Sequence, residues 1–211
     1  GQLYFNIGKE PLSDNATKEY WNVDAFSWDM QNSNGTNAGQ YYTDKTTIAY
    51  VPFKSGATIT IPALSGSIYR YAADGKANKT SYLWVEANVR YDGNPIEQIL
   101  IRETLTAPSH DHKKARTDII KTSKSGFTAE ADGVLSVTFG YDVHLSTYSW
   151  LNADKSYAKI KFNTGGSKIT VEYPNPTEGV SIASNGMRVL TVSGASVTIL
   201  DDKITLLSPS K

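Results

Sequence analysis

Short runs of alternating apolar and polar residues recur along this chain, and Gly, Asn, Asp or Ser cuts between them. Val134-Leu-Ser-Val-Thr-Phe139, Thr58-Ile-Thr-Ile61 and Lys168-Ile-Thr-Val171 show the pattern. A period of two sends successive side chains to opposite faces of a pleated strand. One face enters a core while the other meets water, as packed antiparallel sheets require. The pattern therefore predicts an all-β chain, an antiparallel β-sandwich.

The elements follow from the same rule. Gln2–Ile7 reads as a first strand, Gly8–Asn15 as a loop, and Glu19–Met30 as one bent strand or two. Gln31–Gln40 is nearly all Asn, Gly, Ser, Thr and Gln and reads as an exposed loop. Strands are predicted at Thr46–Phe53, Thr58–Pro62, Ser67–Ala72 and Ser81–Tyr91. Lys54-Ser-Gly56 is read as a hairpin turn, and Asp92-Gly93 as another leading into a strand over Ile96–Leu105. Pro108–Gly126 is the least β-like stretch and predicts one short helix, Ser109 to about Lys121, capped by Ser109. Strands resume at Val134–His144, Tyr157–Phe162 and Lys168–Tyr173. Pro174-Asn-Pro176 breaks the chain there. Beyond it lie four short strands, Gly179–Ala183, Met187–Val192, Ser196–Leu200 and Ile204–Leu207. The expected organisation is a sandwich over 1–175 and a C-terminal β-meander over 176–211.

Composition narrows the functions. The 211 residues suffice for a sizeable core without staples, and there is no cysteine, hence no disulfide and no thiolate nucleophile. Lys plus Arg equals Asp plus Glu at 21 each, which argues against a phosphate-tracking groove and so against nucleic acid. No window reaches the ~18 apolar residues of a membrane helix. The chain opens at Gly1 without a signal peptide, as expected of a protein from which an export signal has been removed.

Catalytic strings are missing: there is no Gly-x-Ser-x-Gly elbow, no Gly-x-Gly-x-x-Gly and no Walker loop. Glycoside hydrolysis or lyase chemistry would need two converging carboxylates, and the acids here are scattered. His110-Asp111-His112 is the one metal-like string, with His144 as a distant third ligand, but Lys113-Lys114 beside it repels a cation. An exposed loop is the plainer account of it. Calcium is the other candidate cofactor, held by turn residues such as Asp14, Asn15, Asp74, Asn78, Asp92 and Asn94, which are first of all turn formers.

The aromatic set is the better lead. There are 13 Tyr and 4 Trp. Such residues build β-cores, yet an exposed ring also stacks on a sugar face. The predicted ligand contacts are Tyr41, Tyr42, Tyr148 and Trp150, with Asn32, Asn34, Asn37 and Gln40 as polar partners. Trp84, in mid-strand, is the weakest of the four tryptophans as a contact.

Ala131-Asp-Gly-Val-Leu-Ser-Val-Thr-Phe139, then Ser149-Trp150 and Tyr157-Ala-Lys-Ile-Lys-Phe162, resemble the last strands of jelly-roll carbohydrate-binding modules. Tyr50-Val-Pro-Phe-Lys-Ser-Gly-Ala-Thr-Ile-Thr-Ile61 is similar to modules of bacterial and phage surface proteins. The resemblance covers under a third of the chain. It implies a jelly-roll-like sandwich.

The leading expectation is a non-catalytic, extracellular or surface-exposed module or adhesin that binds glycan or another cell-surface ligand. The alternatives are a subunit of a pilus, fibre or viral surface assembly that self-associates through edge strands, and a pore-forming toxin inserting a hairpin such as Thr46–Ile61.

Overall fold

The computed structural model describes residues 9–11, 18–32, 40–73, 77–146, 155–174, 179–182, 188–192, 195–200 and 203–207. Every regular element among them is a strand. They are β1 (Lys9–Pro11), β2 (Lys18–Asn22), β3 (Phe26–Gln31), β4 (Gln40–Phe53), β5 (Thr58–Ile61), β6 (Ser65–Tyr71), β7 (Ser81–Tyr91), β8 (Gln98–Ala107), β9 (Ala115–Lys121), β10 (Ser125–Thr128), β11 (Gly133–Leu145), β12 (Tyr157–Phe162), β13 (Lys168–Glu172), β14 (Gly179–Ile182), β15 (Arg188–Val192), β16 (Ala195–Leu200) and β17 (Lys203–Leu207).

One sheet runs β4-β11-β7-β8. Opposite it, β3-β12-β6-β9 is continued across short breaks by β2-β13-β5-β10, strand for strand in the same order. Four long, kinked strands therefore face four others. In chain order the eight long strands are β2/β3, β4, β5/β6, β7, β8, β9/β10, β11 and β12/β13. The first, eighth, third and sixth form one sheet, and the second, seventh, fourth and fifth form the other. All strand pairings among the described residues are antiparallel, and this is the strand order of a jelly roll.

The alternation places the core. Leu83, Val85, Ala87 and Val89 of β7 lie beside Tyr141, Phe139, Val137 and Leu135 of β11 on one inner surface. Ile68, Ile160, Phe162, Ile59, Ile61, Ile169 and Val171 supply the other. Phe139 stacks on Phe162 with ring centroids 4.7 Å apart and meets Phe26 at 5.3 Å, so aromatic contacts tie the two sheets together.

The kinks interrupt the hydrogen-bond ladders, and buried polar residues repair them. Asn163, 3% exposed, has φ +48°, a left-handed conformation that Asn tolerates better than most residues. Its Nδ2 donates to the Val23 carbonyl at 2.5 Å and its N–H to the Ser65 carbonyl at 2.8 Å. Thr122 Oγ1 accepts from the Leu64 N–H at 3.0 Å, while the Thr122 N–H donates to the Leu64 carbonyl at 2.9 Å. A buried backbone donor or acceptor left unpaired costs about 1–3 kcal/mol, so these two side chains are what make the bends tolerable.

The C-terminal strands pair as β14-β15-β16-β17, a meander in chain order, as the spacing of turn residues predicts.

Several expectations are corrected. Lys54-Ser-Gly56 is a turn with Gly56 at φ +84°, but it is not a hairpin. It carries the chain from β4 in one sheet to β5 in the other. Thr46–Ile61 is therefore divided between two sheets and offers no hairpin to insert in lipid. The helix expected over Ser109–Lys121 is absent; Ala115–Lys121 is strand β9, paired with β6. The alternating residues Thr117, Ile119 and Lys121 fit that strand, and a free sheet position outweighed the weak helical capping signal. Lys9–Pro11, expected in a loop, pairs with β2. Gln2–Ile7 lies outside the described residues.

Candidate functional site

The two ends of the sandwich differ. At one end the connections are short: 54–57, 92–97 and 129–132. The first of the eight long strands begins there and the last ends there, with Lys18 opposite Glu172 in register and their side chains 3.6 Å apart. The strand ends joined by the longer stretches 32–39, 72–80, 108–114 and 146–156 stand at the other end. Loops on a rigid scaffold are where binding residues concentrate, so the second end is the natural site.

A buried polar network floors that end. Arg70, 0% exposed, projects from β6 and donates to the carbonyls of Lys79 (2.8 Å) and Pro108 (2.6 Å) and to Ser81 Oγ (3.2 Å). Asp118 Oδ2 lies 3.4 Å away and is also held by Arg116 Nε at 2.9 Å. Burial lowers the Arg70 pKa, and Asp118 opposes the shift. Beside it, Asn78 Oδ1 accepts from the Ser146 N–H at 2.8 Å, and Ser156 Oγ, bonded to Ser146 Oγ, accepts from the Ala73 N–H at 2.8 Å. These bonds join three of the four long connections to one another.

The expected contacts sort themselves on this frame. Tyr41 is 61% exposed, with its ring against His144 across the outer face of β4-β11-β7-β8. Tyr42 does not form an exposed pair with it, because neighbours on a strand point to opposite faces. Its hydroxyl proton is shared between the Gln31 carbonyl (2.6 Å) and Gln40 Oε1 (2.9 Å), its ring meets Trp28 edge-on at 5.8 Å, and burial raises its pKa. Gln40 is thereby engaged by Tyr42. Asn32, expected at a ligand surface, is fully buried: its Nδ2 donates to the Ser146 carbonyl at 2.5 Å and its N–H to the Ser156 carbonyl at 2.9 Å. It ties two connections together and cannot reach a ligand. Asn34, Asn37, Tyr148 and Trp150 lie outside the described residues.

The histidines do not converge. His110 is half-buried, with Nε2 3.4 Å from Asn78 Nδ2, whereas His112 is exposed. Burial and the Arg70 charge lower the His110 pKa, and burial lowers that of His144 despite Asp142. Among the described residues no three His, Asp or Glu side chains gather around one point. Of the calcium candidates, Asn78 is committed to Ser146, and Asn94 Oδ1 accepts from the Ile96 N–H at 3.0 Å as a turn residue.

A surface that the sequence did not flag adjoins the site. On the outer face of β3-β12-β6-β9, Tyr157 sits in register with Tyr71, and Lys159 with Tyr69. The Tyr71 and Tyr157 rings stack at 5.4 Å, and Tyr69 lies 5.9 Å from Tyr157. The neighbouring Tyr69 hydroxyl and burial raise the Tyr157 pKa. Ser67, Tyr69, Tyr157, Lys159 and Lys161 line a shallow groove of about 370 Å³. The alternation in Ser67-Ile-Tyr-Arg-Tyr71 and Tyr157-Ala-Lys-Ile-Lys161 placed each set on one face. Only the pairing of β6 with β12 makes one surface of them. On the opposite sheet the Trp84 indole lies across Gly140, where any Cβ would strike the ring.

Neither a protein-family model nor a curated protein matches the sequence. Solved structures with some likeness include infectious bursal disease virus strain Gx, at 8% identity and TM-score 0.24, over 74% of this chain and 38% of that one. Strain Gt of the same virus matches at 12% identity and TM-score 0.17, over 75% and 43%. The D431N mutant VP2 protein of that virus, in derived T=1 particles, matches at 12% and 0.14, over 74% and 42%. The chain spans less than half the length of each. The jelly-roll assignment rests on the strand order itself.

Proposed function

We propose that this chain is a non-catalytic recognition module displayed on a virion, fibre or cell surface, with a glycan as its ligand. One observation carries the reading. The eight-strand sandwich begins and ends at the end with short turns, and the strand ends joined by the long connections, with Tyr41, Tyr71 and Tyr157 near them, stand at the other. Strand β11, 13 residues long, at roughly 3.3 Å per residue puts about 40 Å between the two ends. A module mounted by its base thus presents the far end and the aromatic rings near it outward. The test is a glycan array probed with the intact chain, followed by calorimetry on Tyr41→Ala and Tyr157→Ala. Binding that these variants weaken, with no sugar product released, supports the module. Silence against every glycan on an array whose control lectins respond removes it.

A second reading, a structural subunit of a surface assembly, is favoured by β8. This ten-residue edge strand opens next to Ile96, 69% exposed, and carries Ile99, 51% exposed. An open edge with apolar side chains is a template for strand addition. Sedimentation of the chain at high concentration, with Ile99→Lys as comparison, tests it. A monomer throughout counts against it.

A further inference from the structure

Resting on the glycan reading, we infer that the outer face of β12 and β6 is a site for an acidic saccharide, one bearing a carboxylate or sulfate. The groove between Tyr69, Tyr157, Lys159 and Lys161 would hold it.

Three features of that face converge. First, Lys159 and Lys161 are exposed, share one side of β12 and make no ion pair among the described residues. Two residues apart on a strand, their Cα atoms are about 7 Å apart, within the span of one or two sugar units. Second, the face is cationic in a chain of zero net charge. Its outward positions hold Lys121, Lys159 and Lys161 against the single acid Asp29, which stands opposite Lys159 in register without pairing with it. Third, the tyrosines are held by one another, by the Tyr71–Tyr157 stack and the Tyr69–Tyr157 ring contact. Rings fixed before binding lose little entropy when a pyranose face stacks on them.

The combination selects its ligand class. Ammonium groups alone attract any anion. Aromatic faces beside them, with Ser67 and the tyrosine hydroxyls as hydrogen-bonding groups, suit a ring with apolar C–H faces and equatorial hydroxyls. An acidic peptide would use the charges and leave the ring faces idle.

The experiment titrates the intact chain with a sulfated heparin tetrasaccharide, a galacturonate tetramer, neutral N-acetyllactosamine and poly-glutamate. The same titrations are run on Lys159→Gln/Lys161→Gln, Tyr69→Ala and, as a control on the opposite sheet, Lys45→Gln. Circular dichroism confirms that each variant keeps its strands. Binding of either acidic saccharide, weakened about tenfold or more by the double lysine variant and by Tyr69→Ala but not by Lys45→Gln, supports the site. Sulfate without carboxylate, or the reverse, identifies the group. Poly-glutamate bound as tightly as the saccharides overturns it, because charge alone would then suffice. Neutral glycan binding that ignores the lysines overturns this site and leaves the recognition module standing. Failure of every saccharide, on the array as well, overturns both.

Discussion

Arg70 and Asp118 make a double-mutant cycle in which the structure fixes the order of the effects. Arg70 is fully buried, and the Asp118 side chain is 10% exposed. In Arg70→Met the carboxylate is not abandoned, since Arg116 Nε still holds it at 2.9 and 3.0 Å. The carbonyls of Lys79 and Pro108 lose their donor, and Ser81 Oγ, 3.5 Å from the Lys79 carbonyl, is placed to replace one of them. Orphaned acceptors cost about 1–3 kcal/mol each, and relief from burying a cation offsets part of that, so the net loss is about 2 kcal/mol. Asp118→Ala does the opposite: it leaves a buried guanidinium with no countercharge, at about 3–5 kcal/mol. With Arg70 already replaced, removing Asp118 strands no charge, so the double variant loses only about 2–3 kcal/mol, well short of the sum of the singles. Urea unfolding with a common m-value measures all four proteins. At ~2–4 °C per kcal/mol, Asp118→Ala melts roughly 6–20 °C early. Additive losses, or an Arg70→Met protein less stable than Asp118→Ala, would refute the reasoning.

Four further outcomes are expected. Phe139→Ala opens a hole between the stacked Phe162 and Phe26 and costs about 3–5 kcal/mol in the same assay. Asn163→Gly keeps access to φ +48° but loses the bond to Val23, about 1 kcal/mol; Asn163→Ala adds backbone strain and falls further, and equal losses would show that the conformation is unimportant. Gly133→Ala drives a Cβ to 2.5 Å from the Arg90 carbonyl oxygen, a backbone atom that cannot swing aside, so about 1–3 kcal/mol is lost and Tm falls. His110 and His144 have folded pKa values below the ordinary 6.5. The unfolded chain therefore takes up protons first, and stability declines as pH drops through 6.5 and levels off below the folded values, with a slope under about 1.4 kcal/mol per pH unit for each histidine. Replacing both with Gln should flatten urea midpoints between pH 7 and 5.

How far the sequence could be read is plain in particular elements. The β7 stripe of Leu83, Val85, Ala87 and Val89 was legible because a period of two admits one interpretation over eleven residues. The terminal meander was legible for the same reason, its short runs being separated by turn-forming pairs. Lys54-Ser-Gly56 was misread because a glycine turn has the same local chemistry whether the chain folds back beside itself or crosses to the facing sheet. Asn32 was misread because an amide's partners, here the Ser146 and Ser156 backbone more than a hundred residues away, leave no local trace.

The sequence by itself determined which side chains share a face of each strand, because alternation is a property of the extended backbone. It determined neither which faces adjoin nor which end of each strand meets which loop. Those depend on pairings between distant segments, such as β6 with β12 and β4 with β11. Only these pairings set Tyr69 and Tyr71 beside Tyr157 and Lys159, and set the start of β2 beside the end of β13.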